Sequence, residues 1–204
     1  MSDFTYESNN TSVELETYEW DNVWWEQAPK HGATRVLYIG DSISCAMRRK
    51  ATAVSKDKLL FDGFGTSKAV DNPYFIPSVN SFANQQRERK IIIFNNGLHG
   101  WHLTEDEYAK HYKSIVDSLI KTYSDSAFAL VLTTAITDKE RNERVNVRNE
   151  KVKQIAKELN LPVIDLNKVS SDNISLIGGD GVHFSDKGYD VMAEFLVSEV
   201  RKLI

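Results

Sequence analysis

The chain has 204 residues, of which 41% are hydrophobic and 26% charged, and a net charge of −4. That length suits one domain with a full hydrophobic core and is short for two. An acidic balance without a dense Lys/Arg block argues against nucleic acid or an anionic membrane as the main partner, and no apolar run approaches the roughly 20 residues of a membrane-spanning helix.

The start, Met1-Ser2-Asp3-Phe4-Thr5-Tyr6-Glu7, is polar and acidic, unlike a secretory signal. Cys45 is the single cysteine, so no internal disulfide can form. Both features point to a reducing compartment, with the cytoplasm as the expected location. Residues 1–34 read as an aromatic and acidic arm ahead of a domain over 35–204. The arm sets Tyr18, Trp20, Trp24 and Trp25 among Glu19, Asp21 and Glu26. The spacing from Trp20 to Trp24 predicts a short amphipathic helical turn. Large aromatics mostly contribute buried area, which favours indoles packed on the domain surface over an open platform for a sugar ring or a partner.

From Ala33 onward, strand and helix alternate. Short runs rich in Val, Ile and Leu end at Gly40, Phe61, Asn95, Thr133 and Leu166. Helical stretches fall between them at about 43–54, 104–123 and 144–160, with a last one at 185–203. Residues 62–89 are less regular, with room for one helix in the second half. Thr104 with Glu107 three residues on forms a capping box, and Ser185-Asp186 starts the last helix. Strands this apolar are buried on both faces, as in a parallel sheet covered by helices. Five βα units predict a flavodoxin-like, three-layer α/β/α fold with a five-stranded parallel sheet.

Four residues suited to ester hydrolysis fall at the ends of four of these strands. Ser42 follows Arg35-Val36-Leu37-Tyr38-Ile39, Gly65 follows Lys58-Leu59-Leu60-Phe61, and Asn95 follows Ile91-Ile92-Ile93-Phe94. His183, with Asp180 three residues before it, lies in the loop after Pro162-Val163-Ile164-Asp165-Leu166. Ligands of open α/β sheets bind beyond the carboxyl ends of the strands, so the four should converge. A serine at a strand-to-helix turn can act as nucleophile, although Asp41 or Ser42 could instead simply cap the helix. Asp180 against one imidazole nitrogen would leave the other to take a proton from Ser42, the roles of a Ser-His-Asp triad. The N–H groups of Ser42 and Gly65 and the Asn95 amide could serve as oxyanion donors. Taken singly, Gly63 and Gly65 could belong to a flexible loop, and Asn95 to an Asx-type turn.

The chain resembles the SGNH (GDSL-like) hydrolases, a group of serine esterases and lipases. Gly40-Asp41-Ser42 matches the family's nucleophile block, and Asp180-Gly181-Val182-His183 matches its closing Asp-x-x-His. Asn95-Asn96-Gly97-Leu98-His99-Gly100 is similar to its third block, with Ile93 where glycine is usual and Asn96 where aspartate is usual. Asn96 is therefore an alternative to Asn95, and Gly63 to Gly65. The resemblance spans residues 33–204 and implies hydrolysis through an acyl-serine intermediate without metal or cofactor. An acetyl ester of a carbohydrate is the expected substrate. A lysophospholipase- or thioesterase-like lipid ester hydrolase and a non-catalytic glycan-binding domain are the alternatives.

His99 and Trp101 are expected in the substrate pocket wall. His99 and His102 have metal-ligand spacing, but no Asp or Cys completes a set nearby. Cys45 is expected to be an inert core thiol, Asp165 a structural carboxylate, and Arg141, Arg144 and Arg148 a solvated helix face. Gly63-Phe64-Gly65-Thr66-Ser67-Lys68 lacks the spacing of a phosphate loop.

Overall fold

The computed structural model describes residues 18–85 and 88–204, so residues 1–17 of the expected arm lie outside it. The apolar runs form the parallel strands β2 (Thr34–Gly40), β3 (Leu59–Thr66), β4 (Ile91–Phe94), β5 (Ala127–Val131) and β6 (Val163–Ile164). In space they lie in the order β3-β2-β4-β5-β6. This is the doubly wound flavodoxin-like arrangement, in which the second strand lies outside the first and the rest follow on the other side.

Alternate residues of each strand feed two cores. Val36, Tyr38, Ile91, Ile93, Ala129 and Val131 pack under α1 (Ser42–Val54) and α6 (Asp186–Arg201). Leu37, Ile39, Ile92, Phe94 and Leu130 face α2 (Phe75–Ala83), α3 (Glu105–Thr122) and α4 (Lys139–Glu158). A short α5 (Leu166–Asp172) follows β6, with Asp165 accepting from the Lys168 N–H at 2.9 Å. The expected capping box at Thr104 and Glu107 is present. Helix α4 starts five residues before the expected position. Its first turns, from Lys139 to Arg144, hold no apolar residue to announce a helix, and Asp138 caps it by accepting the Arg141 N–H at 2.8 Å. Among the described residues, no helix is long and apolar enough to cross a membrane.

The expected five-stranded sheet has a sixth strand, β1 (Asp21–Trp24), antiparallel on the free edge of β3. This replaces the helical turn expected around Trp20 and Trp24, and it puts residues 21–24 inside the sheet. All four residues of β1 are exposed, so no hydrophobic period marks the strand. Polar anchors hold it instead. Asp21 accepts from the Thr66 hydroxyl and the Lys68 ammonium, both at 2.7 Å. Glu19 accepts from the Ser67 hydroxyl and the Asn72 amide, again at 2.7 Å. The Trp20 N–H donates to Ser67 Oγ at 2.9 Å, and the Ser67 N–H to the Trp20 carbonyl at 3.1 Å. The indoles lie on the domain: Trp25 stacks on Phe82 at 3.8 Å, Arg49 covers Trp24 at 4.3 Å, and Trp20 meets His99 edge-on at 6.4 Å.

Candidate active site

Strands β2 and β4 are neighbours, and the chain leaves them toward opposite sides of the sheet order, so the switch point lies between them. At its carboxyl end, β2 stops at Gly40 and α1 begins at Ser42. Capping falls to Asp41, whose Oδ1 accepts the Ile43 N–H at 3.0 Å and whose carbonyl accepts from the Cys45 N–H at 3.1 Å. Burial pushes the Asp41 carboxyl up, against the pull of His99 and of the backbone donors. With Asp41 as cap, the Ser42 hydroxyl is left for other work, and the Ser42 N–H stands at the front of the helix. Gly65 is the floor for this turn. A Cβ on it would lie 2.2 Å from Cys45 Sγ and 3.2 Å from the Asp41 carbonyl, so only glycine lets α1 approach β3 this closely. The Cys45 thiol, pushed up by burial, serves as packing there.

The Ser42 hydroxyl lies 2.7 Å from His183 Nε2, and His183 Nδ1 lies 2.7 Å from Asp180 Oδ2. One four-residue loop builds this pair. Asp180 Oδ1 accepts the N–H groups of Val182 and His183, both at 2.9 Å, which locks the carboxylate against the ring. Gly181 has φ +77°, and its carbonyl accepts the Thr137 N–H at 2.9 Å, tying the loop to the segment after β5. The Gly178 N–H donates to the His183 carbonyl at 2.6 Å and closes the turn. The structure therefore brings Ser42 to the distant Asp180–His183 loop in the geometry of a triad.

Burial pulls the Asp180 carboxyl upward, and the Val182 and His183 N–H groups with the imidazole outweigh it, holding the group down at about 2. Its contribution to stability is thus fully present above the ordinary carboxylate value and is lost as pH falls through about 2. A 13C carboxyl titration should place the Asp180 midpoint near 2. A midpoint at the ordinary carboxylate value would mean that the loop bonds do not form in solution.

The other two expected oxyanion donors are engaged within the fold. The Asn95 amide donates to the Val131 carbonyl at 2.9 Å and to Thr133 Oγ1 at 3.1 Å, joining β4 to the end of β5. Gly65 lies inside the ladder, paired with Gly40 on one side and Asn22 on the other. Asn96 is fully buried; its amide donates to the Lys68 carbonyl at 2.8 Å, its own carbonyl accepts from the Tyr108 hydroxyl, and its Oδ1 has no partner among the described residues. Replacing Asn95 with alanine leaves a buried carbonyl and hydroxyl short of a donor, which should cost about 1–3 kcal/mol of stability by thermal denaturation. A fall in kcat of about 10²–10³ with unchanged melting would instead identify a transition-state donor.

His99 is buried beside Trp20. His102 Nε2 pairs with Asp71 Oδ2 at 2.7 Å. Among the described residues, no group of three or more His, Cys, Asp or Glu gathers to hold a metal. The arginines of α4 depart from the expected solvated face. Arg148 is fully buried, donating through Nη1 to the carbonyls of Gly97 (3.0 Å) and His99 (2.8 Å) and through Nη2 to Gly100 (2.8 Å). Its Nε reaches Glu105 at 2.7 Å. Arg144 binds Glu105 and donates to the carbonyls of Trp101 (3.1 Å) and Leu103 (2.7 Å). Only Arg141 is exposed. A signal for Arg148 was present: Val145, Arg148, Val152 and Ile155 share one helical face, and that face is buried.

Comparison with known proteins gives a family and a fold. The family model described as GDSL-like Lipase/Acylhydrolase matches residues 91–196. No curated protein sequence matches the chain. Among solved structures, a lipolytic protein of the G-D-S-L family from Veillonella parvula is 20% identical, with TM-score 0.67, covering 84% of this chain and 100% of its own. The acetyl xylan esterase AlAXEase is 19% identical, with TM-score 0.65, covering 81% of this chain and 99% of its own. Axe2, an acetylxylan esterase from Geobacillus stearothermophilus, is 17% identical, with TM-score 0.63, covering 82% and 94%.

Proposed function

The chain belongs to the GDSL-like lipases and acylhydrolases, and on that premise we propose that it hydrolyses short-chain esters, acetyl esters of carbohydrates in particular, through an acyl-serine intermediate. The observation that carries this reading is the hydrogen-bonded line from Ser42 through His183 to Asp180, each link 2.7 Å long. Ser42 Oγ attacks the ester carbonyl as His183 Nε2 takes its proton. Asp180 accepts from Nδ1 and stabilises the imidazolium that forms. The Ser42 N–H, at the positive end of α1, faces the developing oxyanion. His183 returns the proton to the departing alcohol, and the acyl group stays on Ser42. Water then attacks the acyl carbonyl, deprotonated by His183, and the carboxylic acid leaves with the serine restored. Two solved relatives named as acetylxylan esterases support the acetyl preference. So does the polar character of two loops at the strand ends, His99-Gly100-Trp101-His102 and Thr137-Asp138-Lys139-Glu140.

The test is a ladder of p-nitrophenyl esters from acetate to octanoate, run beside acetylated sugars. In an apolar groove each buried methylene would add about 0.8 kcal/mol, so a lipid-ester or thioester hydrolase improves several-fold per carbon. A site without such a wall gains nothing and loses by crowding. We expect kcat/KM to be higher for the acetate than for the octanoate. A steady rise along the ladder would favour the lipid reading. Failure of a fluorophosphonate to label Ser42 would leave only the non-catalytic glycan-binding alternative.

A further inference from the structure

Trp101 does not present an open indole. Three guanidinium carbons lie near its ring centroid: Arg148 at 4.7 Å, Arg141 at 5.3 Å and Arg144 at 5.3 Å. A sugar platform needs an aromatic face free for stacking, and here cations crowd the ring. Two of them are consumed internally. Arg148 and Arg144 spend their guanidinium N–H groups on Glu105 and on the carbonyls of Gly97, His99, Gly100, Trp101 and Leu103. Arg141 differs. Its side chain is exposed and lies within ion-pair distance of no carboxylate among the described residues; only its backbone N–H is bonded, to Asp138. What Trp101 holds out to solvent is therefore a cation with five unspent donors.

The place of that cation gives it meaning. Arg141 is in the first turn of α4, four residues after Thr137, whose N–H is bonded to Gly181 in the Asp180–His183 loop. Trp101 and Val182 both rest on the core cluster that contains Ile43, Leu98 and Ile136. Arg141 thus stands on the chain that anchors the Asp180–His183 loop through Thr137. Glu105 is already taken by Arg144 and Arg148, so it offers Arg141 no partner.

We propose that Arg141, steadied on Trp101, is a specificity-determining residue that binds an anionic group on the alcohol part of the substrate. Resting on the esterase reading above, this narrows the substrate class to acetyl esters of acidic sugars, in which a uronate carboxylate lies within a few ångströms of the ester. A guanidinium fork suits a carboxylate in two-point geometry, and the indole face limits the rotamers that Arg141 would otherwise lose on binding. The residue acts in binding, through KM, and takes no part in bond making.

The experiment uses the full chain and two substrates that differ only in charge, methyl glucuronoside and methyl glucoside carrying one acetyl group at the same position. Acetate release should favour the glucuronoside by about tenfold in kcat/KM, the worth of one charge-assisted hydrogen-bonded pair. Most of that preference should lie in KM and shrink as salt is added. Arg141→Gln should bring the ratio of the two substrates to about one, and Arg141→Lys should keep part of it. Equal rates on the two sugars in the native enzyme, or a preference that Arg141→Gln leaves intact, would overturn the proposal, as would p-nitrophenyl acetate turnover with neither sugar cleaved. Those failures are distinct from failure of the esterase reading, in which no ester is cleaved and Ser42 takes no fluorophosphonate.

Discussion

Replacing Ser42 with alanine is expected to lower kcat on any ester about a million-fold, and replacing His183 with alanine to do the same. The two side chains are successive members of one hydrogen-bonded line, Ser42 Oγ to His183 Nε2 at 2.7 Å and His183 Nδ1 to Asp180 Oδ2 at 2.7 Å. Without the imidazole, nothing in that line takes the serine proton. Without the hydroxyl, the imidazole has nothing to activate. The double variant should therefore be little worse than either single one, and losses that multiply would show that the two act separately. Asp180→Asn should cost less than either, about 10⁴-fold, because it keeps a partner at Nδ1 while spoiling the tautomer. Stability serves as the control. Asp41 and not Ser42 caps α1, and the His183 side chain is 45% exposed. The Ser42 and His183 variants should thus unfold within about 1 kcal/mol of the native protein.

That these three side chains would meet was legible because chemistry and topology coincide at them. An apolar strand announces its own carboxyl end, and doubly wound sheets place function there. The same reasoning was blind wherever structure is not held by apolar periodicity. Strand β1 buries none of its four residues and is fixed by Glu19, Asp21 and backbone pairing to β3, none of which leaves a period in the sequence. The start of α4 is similarly silent, since its first six residues are all polar. The oxyanion side was hard for another reason. An asparagine after a strand can face substrate or brace the next strand, and the type of residue does not separate the two. Here the Asn95 amide braces Val131 and Thr133, and Gly65 makes room for Cys45. Reading three arginines as one solvated face failed because charge was weighed above position. Arg148 sits between Val145 and Val152 on the face that the helix buries.

That buried guanidinium should carry a large stability effect. Arg148→Ala removes the donors to the carbonyls of Gly97, His99 and Gly100, which lie 2.8–3.0 Å away. It also removes the closest contacts over Trp101, at 4.7 Å, and Tyr108, at 4.5 Å. Glu105 is left with Arg144 as its remaining guanidinium partner, its side chain only 17% exposed. Breaking a buried pair by deleting one member costs about 3–5 kcal/mol, a large part of the 5–15 kcal/mol that holds a domain of ordinary stability together. For a domain of this size the melting temperature should fall by roughly 6–20 °C. Arg148→Lys should recover only part of the loss, because one ammonium cannot reach three carbonyls and Glu105 together. Pairing Arg148→Met with Glu105→Leu tests which term dominates. If the half-paired Glu105 carboxylate is the main cost, the pair should be more stable than Arg148→Met alone. If the three orphaned carbonyls dominate, the second change should recover nothing. Activity distinguishes the arginine's place from mere stability. The loop it holds carries His99 and Trp101, so below its melting temperature Arg148→Lys should still show a raised KM. Native melting together with native kinetics in Arg148→Ala would mean that the loop over residues 97–100 stands without it.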